Sequence, residues 1–479
     1  MTDPVTTDPA TTDPIPAEPS NAARLDPIRR HGVDPDRLAA FLAAEQQAYR
    51  QAHPRSADLA SRSSEHWHGG VPLHWMSDWG LPFPLFLREA TGSCLTCVDG
   101  HEHADFCLGD TGAMFGHAPE PVRRAVAHQI ARGATAMLPS ALVPEVGRLL
   151  AERFGLPVWQ ATLTASDANR AVIRWARALT GRRDILIFNG AYHGAVDDVH
   201  VRLADGAPIQ RAGLVGQVYD MRAHTRVVEF NDIAALEAAL ADRGVALVLA
   251  EPVMTNIGMV LPDEGYHAAL RRLTRAAGTL LAIDETHTLS AGPGGYARAH
   301  ALEPDFLVVG KAIGGGVPAA VYGVTAAVSQ GMARVRAEAP GYSGIGTTLS
   351  ANALAMAAMR AMFEEVMTAD AYRHMIATAS DLAGRLRAII ADRRLPWCVT
   401  AAGARVEFML APEPPRTGGA AARIGSAEIE GALRLALINR GVVVTPFHNM
   451  LLAAPTTGPE EVDRLCAGLE AALDAIVAA

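Results

Sequence analysis

From about residue 118 onward, short uninterrupted apolar runs alternate with stretches whose apolar positions recur every three to four residues. The runs are DILIFNG, VALVLAEP, GTLLAIDE and DFLVVGK, each bounded by turn residues. Strands buried on both faces read as such runs, and strands separated by helices form a mostly parallel sheet. The pattern therefore predicts a large α/β domain over residues 118–349. From residue 350 the spacing is helical, and short strands around ARVEFML and GVVVTP followed by a last helix predict a smaller domain over 350–479. Ahead of the large domain, residues 31–117 open with DPDRLAAFLAAEQQAYRQ, a capped helix. Next comes HWHGGVPLHWMSDWGLPFPLF, whose aromatics and prolines predict a packed segment without regular structure. The stretch SCLTCVDGHEHADF then alternates with period two around Asp99-Gly100, predicting a hairpin closed by a type I′ turn. Residues 1–30 repeat Thr-Asp-Pro without an aromatic and predict a disordered tail.

Composition removes whole classes of function. A formal net charge of −9 with no basic stripe argues against a nucleic-acid partner. No run approaches the ~18 apolar residues of a membrane span, and the opening lacks a basic-then-apolar signal, so a cytoplasmic location is expected. Cys94, Cys97, His101, His103 and Cys107 have metal-like spacing, but a hairpin scatters them over two faces, so no metal site is expected.

The candidate chemistry centres on Lys311, the single lysine of the chain, all other basic chains being arginine. Codon bias explains the arginines but not the surviving lysine. A lysine amine can be deprotonated by its surroundings and can form a Schiff base with a carbonyl, which a guanidinium cannot. Ligands of open α/β sheets bind beyond the carboxyl ends of the strands. Those ends here deliver Tyr192 with His193, then Glu251, Asp284 and Lys311. An Asp at a strand end is often only a turn cap, and a Tyr-His pair often only packing; the separation of Asp284 from Lys311 by one βαβ unit favours chemistry. In TASDANRAVIRWAR, small residues open a helix and offer the amides of Ala165 and Ser166, with the Ser166 hydroxyl, to an anion. YSGIGTTLSANA offers Thr347 or Thr348 as a second anion contact. Imine-forming lysine, carboxylate, aromatic ring and phosphate cradle together point to pyridoxal 5′-phosphate.

Read in order, DGHEHADFCLGDTGAMFGH, TASDANRAVIRWARALTGR, FNGAYHG, AEPVMTNIGMVLP, LLAIDETHT, PDFLVVGKAIGGGVP and GTTLSANALAMAA resemble the motif set of class III pyridoxal-phosphate aminotransferases. The branch they are most similar to holds glutamate-1-semialdehyde aminomutase and the β-amino-acid transaminases. The resemblance implies a fold-type I homodimer with active sites at the subunit interface. Lys311 is then the Schiff-base lysine, Asp284 the partner of the pyridine nitrogen, Tyr192 the stacking ring with His193 orienting it, and Ala165-Ser166 the phosphate loop. The threonine that each subunit lends its partner matches Thr348, with Thr347 the alternative.

Departures from the family pattern bear on substrate. Thr286 stands where valine is usual after the Asp-Glu pair, and Thr164-Ala165-Ser166 replaces Ser-Gly-Thr. The two carboxylate-holding arginines of β-amino-acid transaminases align with Trp75, beside His74, and with Phe447, beside His448. Either the substrate is not gripped there or another arginine has taken over. With Trp79 and Phe83, these positions point to a bulky, largely apolar amine or β-amino compound. The expected activity is transamination, with a 2,1-aminomutase or an epimerase as the alternative. A non-catalytic α/β protein is the alternative of another class; no GxGxxG follows a predicted strand, which leaves a nicotinamide cofactor without support.

Overall fold

The computed structural model describes residues 28–338 and 343–478. The central sheet comprises β1 (Val158–Thr162), β2 (Asp184–Phe188), β3 (Thr225–Val228), β4 (Val245–Ala250), β5 (Leu280–Asp284), β6 (Phe306–Val309) and β7 (Ala320–Val324). Their spatial order is β1-β7-β6-β5-β4-β2-β3. The run β6-β5-β4-β2-β3 is parallel, while β7 is antiparallel to both of its neighbours. The four predicted apolar runs are β2, β4, β5 and β6. They read as continuous because alternate residues enter opposite cores. Ile185, Ile187, Leu247, Leu249, Phe306 and Val308 join one cluster, and Leu186, Phe188, Val248, Ile283, Leu307 and Val309 join the other. β1 and β3 lie at the edges, carry polar residues such as Gln160 and Arg226, and give no such run.

β1 leads into helix α1 (Ala165–Thr180), which turns its buried face, including Ala168, Val172 and Ala176, to the sheet. The Thr164 hydroxyl caps it by accepting the Asp167 amide at 3.1 Å, and Gly181 ends it at φ 69.

The smaller domain draws on both ends of the chain. Ile28, Val33 and Leu38 pack with Leu386, Phe408, Leu437 and Leu469 in a separate core. The predicted tail lies, through residue 27, outside the described residues. The hairpin is present, Cys94–Cys97 pairing with Glu102–Asp105, but its turn differs from expectation. Only Gly100 (φ 95) takes a left-handed conformation, after a tight turn closed by the Gly100 amide on the Cys97 carbonyl at 3.0 Å. A type I′ turn needs Asp99 left-handed as well. Its side chain is otherwise engaged, accepting the amides of Arg55 (2.7 Å) and Ser56 (3.1 Å). The aromatic stretch is irregular as predicted, with short turns at His68–Gly70 and His74–Met76. It is not packed throughout: among the described residues Trp67, Leu73 and Trp75 are exposed.

Candidate active site

The sheet topology sets Asp284, the last residue of β5, opposite Val308 of β6, three positions before Lys311. Lys311 follows Gly310 and adopts φ 49, a left-handed conformation that carries a cost in a residue with a side chain. Gly310 permits this corner: a Cβ there would lie 3.0 Å from the Ala165 Cβ and 3.3 Å from the Ala320 Cβ, so only glycine lets the strand end abut α1 closely. Lys311 Nζ lies 2.6 Å from Asp110 Oδ2 and 2.7 Å from His287 Nε2.

Asp284 is buried and saturated with donors. Its Oδ2 accepts Asn169 Nδ2 at 2.8 Å and bonds His193 Nδ1 at 3.0 Å; its Oδ1 accepts the amide and hydroxyl of Thr286 at 3.0 and 2.5 Å. Burial alone would raise the carboxyl's pKa, but His193, Thr286 and Asn169 outweigh it and hold it below the ordinary value. The same donors explain Thr286 in place of valine, since the hydroxyl adds a hydrogen bond to the carboxylate.

Tyr192 is half-exposed, with the Arg211 guanidinium 5.5 Å from its ring centroid. Glu251 is buried beneath it and accepts the amides of Tyr192 (3.1 Å) and Thr255 (3.1 Å) and the Thr255 hydroxyl (2.8 Å), so it fixes the loops around the site. At α1, the cap engages Asp167 and the Thr164 carbonyl takes the Ala168 amide, which leaves the amides of Ala165 and Ser166 at the helix mouth. Ser166 Oγ accepts the Ala195 amide at 3.0 Å and ties this mouth to the loop that carries Tyr192. Thr347 and Thr348 are exposed; Thr347 bonds Ser350 at 3.0 Å, and no hydrogen bond joins either threonine to Lys311 or α1 among the described residues.

The residues predicted to line a substrate pocket separate. Trp75 and Trp79 line a cavity of about 400 Å³ with Leu81, Leu85, Cys107 and Gly109. Phe83 instead packs on Tyr49, ring centroids 5.0 Å apart, His74 is exposed, and Phe447 is 54% exposed. His448 Nδ1 bonds Glu407 Oε1 at 2.9 Å; burial opposes its proton, and the Glu407 carboxylate outweighs burial, holding the imidazole above its usual pKa.

Several residues of the site escaped sequence reasoning: Asp110, His287, Asn169, Arg405 and Glu407. His287 is buried, and desolvation and the neighbouring Lys311 charge push its pKa well below the usual value, so it is a neutral acceptor. Arg405 is fully buried; its Nε donates to the His287 carbonyl at 3.1 Å and its Nη2 to the Thr111 hydroxyl. Asp110, His287 and Asn169 all fall within the quoted motifs, and their polar character among apolar neighbours was the available signal.

The donor set fits pyridoxal phosphate: an ionised carboxylate for a ring nitrogen, a helix mouth for a phosphate, an aromatic face, and a lysine amine. His193 Nε2 and Asn169 Oδ1 are buried yet unpartnered among the described residues, leaving polar capacity beside Asp284. Fold and site together define a fold-type I pyridoxal-phosphate enzyme. The family model of class-III aminotransferases matches residues 75–473, and the chain belongs to that family.

Its structure is similar to a glutamate-1-semialdehyde-aminomutase from Pseudomonas aeruginosa PAO1, 48% identical, with TM-score 0.91 over 93% of this chain and 99% of that one. A lysine-to-alanine variant of that enzyme is known in complex with PMP, the amine form of the cofactor. An omega-transaminase from Sphaerobacter thermophilus is 26% identical, with TM-score 0.81 over 89% of this chain and 98% of its own. Glutamate-1-semialdehyde 2,1-aminomutase of Anaeromyxobacter sp. (strain Fw109-5) is 34% identical over 370 residues, 76% of this chain and 84% of that enzyme. No helix among the described residues is long and apolar enough to cross a membrane.

Proposed function

We propose that this chain is a pyridoxal-phosphate-dependent transaminase that moves an amino group from a largely apolar amine or β-amino compound to a carbonyl acceptor. The observation that carries this reading is the pairing of Lys311, one corner beyond β6, with an ionised Asp284 at the neighbouring strand end. The bound cofactor supplies an aldehyde that takes an amine and a ring that accepts electrons. Asp284 would hold the proton of the ring nitrogen, Tyr192 would cover the ring, and the mouth of α1 would bind the phosphate. Lys311 would be placed to move a proton at the reacting carbon, with neutral His287 at 2.7 Å to accept from its amine.

A homodimer fits the exposed apolar side chains Met137, Leu138 and Leu349. The Ala353 amide bonds the Ala134 carbonyl at 2.9 Å and joins the Thr347–Thr348 turn to that surface, where Thr348 could serve a partner's phosphate site. Such a dimer would operate in the cytoplasm.

A second reading, transfer of nitrogen within one molecule, is favoured by the names of the P. aeruginosa and Anaeromyxobacter relatives. Two measurements separate the readings. Mixing holoenzyme with aryl-alkyl amines and β-amino acids alone should convert the cofactor to its amine form, and a panel that never does so sinks the transaminase. Nitrogen label that stays on its original carbon skeleton in a mixture of labelled substrates would instead establish the aminomutase.

A further inference from the structure

The carboxylate at the end of β5 is engaged by more of the protein than a ring nitrogen leaves room for. An ionised carboxylate offers about four lone-pair positions, all of which it can use only to accept. Protein donors already supply that number. Oδ1 of Asp284 takes the amide and the hydroxyl of Thr286 at 3.0 and 2.5 Å, and Oδ2 takes Asn169 Nδ2 at 2.8 Å and His193 Nδ1 at 3.0 Å. A ring N–H arriving at this carboxylate must therefore share a lone pair or displace a donor.

The donors differ in how easily they leave. The Thr286 amide is fixed by the chain on either side, where the Glu285 amide bonds the Val308 carbonyl at 2.8 Å and the His287 carbonyl accepts Arg405 Nε at 3.1 Å. Asn169 is fully buried in α1, and its Nδ2 also donates to the His193 carbonyl at 3.1 Å. His193 is itself buried and tied to Asn169 by that bond. The Thr286 hydroxyl needs only one rotation about its Cα–Cβ bond, and it gives up no second hydrogen bond among the described residues. It is the donor that yields.

This hydroxyl is also where the chain departs from its family pattern, since the valine usual at Thr286 has nearly the same shape and no donor. Its effect on a ring nitrogen has one sign whether it stays or turns away. Staying, it draws charge from the carboxylate; turning away, it forfeits a hydrogen bond to a charged group. We propose that Thr286 is a positioning residue that weakens the grip of Asp284 on the ring nitrogen of pyridoxal phosphate, relative to a valine at the same place. The nitrogen then holds its proton less firmly, and the ring draws less charge from the reacting carbon. The proposal rests on the cofactor assignment of the site and holds for amino transfer between molecules or within one.

The test compares wild type, Thr286→Val and Thr286→Ser by their dissociation constants for pyridoxal phosphate and for its 1-deaza analogue, which carries C–H in place of the ring nitrogen. The ratio of the two constants isolates what the nitrogen contributes, because a change in packing or fold moves both together. Thr286→Val should prefer pyridoxal phosphate over the analogue by about tenfold more than wild type does. Thr286→Ser, which keeps the hydroxyl and loses the methyl group, should return the wild-type ratio even if both constants weaken. An equal ratio in wild type and Thr286→Val, or a Thr286→Ser ratio that follows the valine variant, overturns the role of the hydroxyl. Failure of wild type to bind either compound would overturn the cofactor assignment along with it, an outcome distinct from binding with an unchanged ratio.

Discussion

Gly194 is where one methyl group should cost the most function. It has φ 86, and a Cβ built there would lie 2.1 Å from Ser166 Oγ, 2.8 Å from Ser166 Cβ and 2.9 Å from Ser166 Cα. The hydroxyl can rotate away, but the Cα belongs to the first turn of α1, which is packed on the sheet and cannot. Gly194→Ala must therefore lift the loop carrying Tyr192 off the helix mouth by on the order of 1 Å to regain ordinary packing distances. The left-handed conformation costs an alanine ~1–2 kcal/mol and the overpacking a further ~1–3 kcal/mol. If about 2 kcal/mol of that is relieved only when the loop moves, cofactor affinity falls roughly 30-fold. Titrating apoenzyme with pyridoxal phosphate and following cofactor absorbance measures it. Adding Ser166→Ala removes the 2.1 Å contact but leaves the backbone contact, so the double variant should recover only part of the loss, a coupling that a simple sum of two single effects would not produce. Wild-type affinity and melting temperature in Gly194→Ala would refute the account of how loop and helix mouth are joined.

Lys311→Ala should abolish turnover and remove the pyridoxyl label that borohydride reduction and peptide mapping place on Lys311, while cofactor is still retained through Asp284, Tyr192 and α1. Asp105→Asn loses one of the acceptors for Cys107 N, Leu108 N and His117 Nε2, which should cost ~1–3 kcal/mol, seen as a lower melting temperature and faster hydrogen exchange over residues 107–112. Burial lowers the pKa of His103 to about 4, so this group contributes no pH dependence above its unfolded value near 6.5. As pH falls from there toward 4, the unfolded chain binds the proton first and stability drops by a few kcal/mol at most. His103→Gln should flatten the thermal-stability profile across that window, and an unchanged profile would show that the ring is not the source.

Much of the fold was legible because burial on two faces leaves an unmistakable trace: DILIF, VALVLA, LLAID and FLVV became β2, β4, β5 and β6, and their ends carried Tyr192, Glu251, Asp284 and Lys311 to one edge. What stayed hidden was set by distance along the chain. Asp110 and Lys311 are separated by 201 positions, and no local periodicity tells which polar turn folds back onto which strand end. Arg405 reaches Thr111 across 294 positions from a strand whose pattern announced only a strand. The turn at Asp99-Gly100 misled for the opposite reason: a local dipeptide preference yielded to contacts from Arg55 and Ser56, brought in by another element. Phe83 and His74, grouped by proximity in sequence with Trp75, were separated by an irregular backbone that carries no period to read.

The solitary lysine also makes this enzyme an unusually clean analytical object. A protease that cleaves after lysine has one cut to make in the unfolded chain, between Lys311 and Ala312. Reductive fixation of the cofactor blocks that cut, so the ratio of whole chain to two fragments counts occupied sites directly, with no chromophore and no substrate. Amine-directed reagents have likewise one ε-amine to find, partly exposed and held between Asp110 and His287, and their rate of attack becomes a clock for how often that clasp opens.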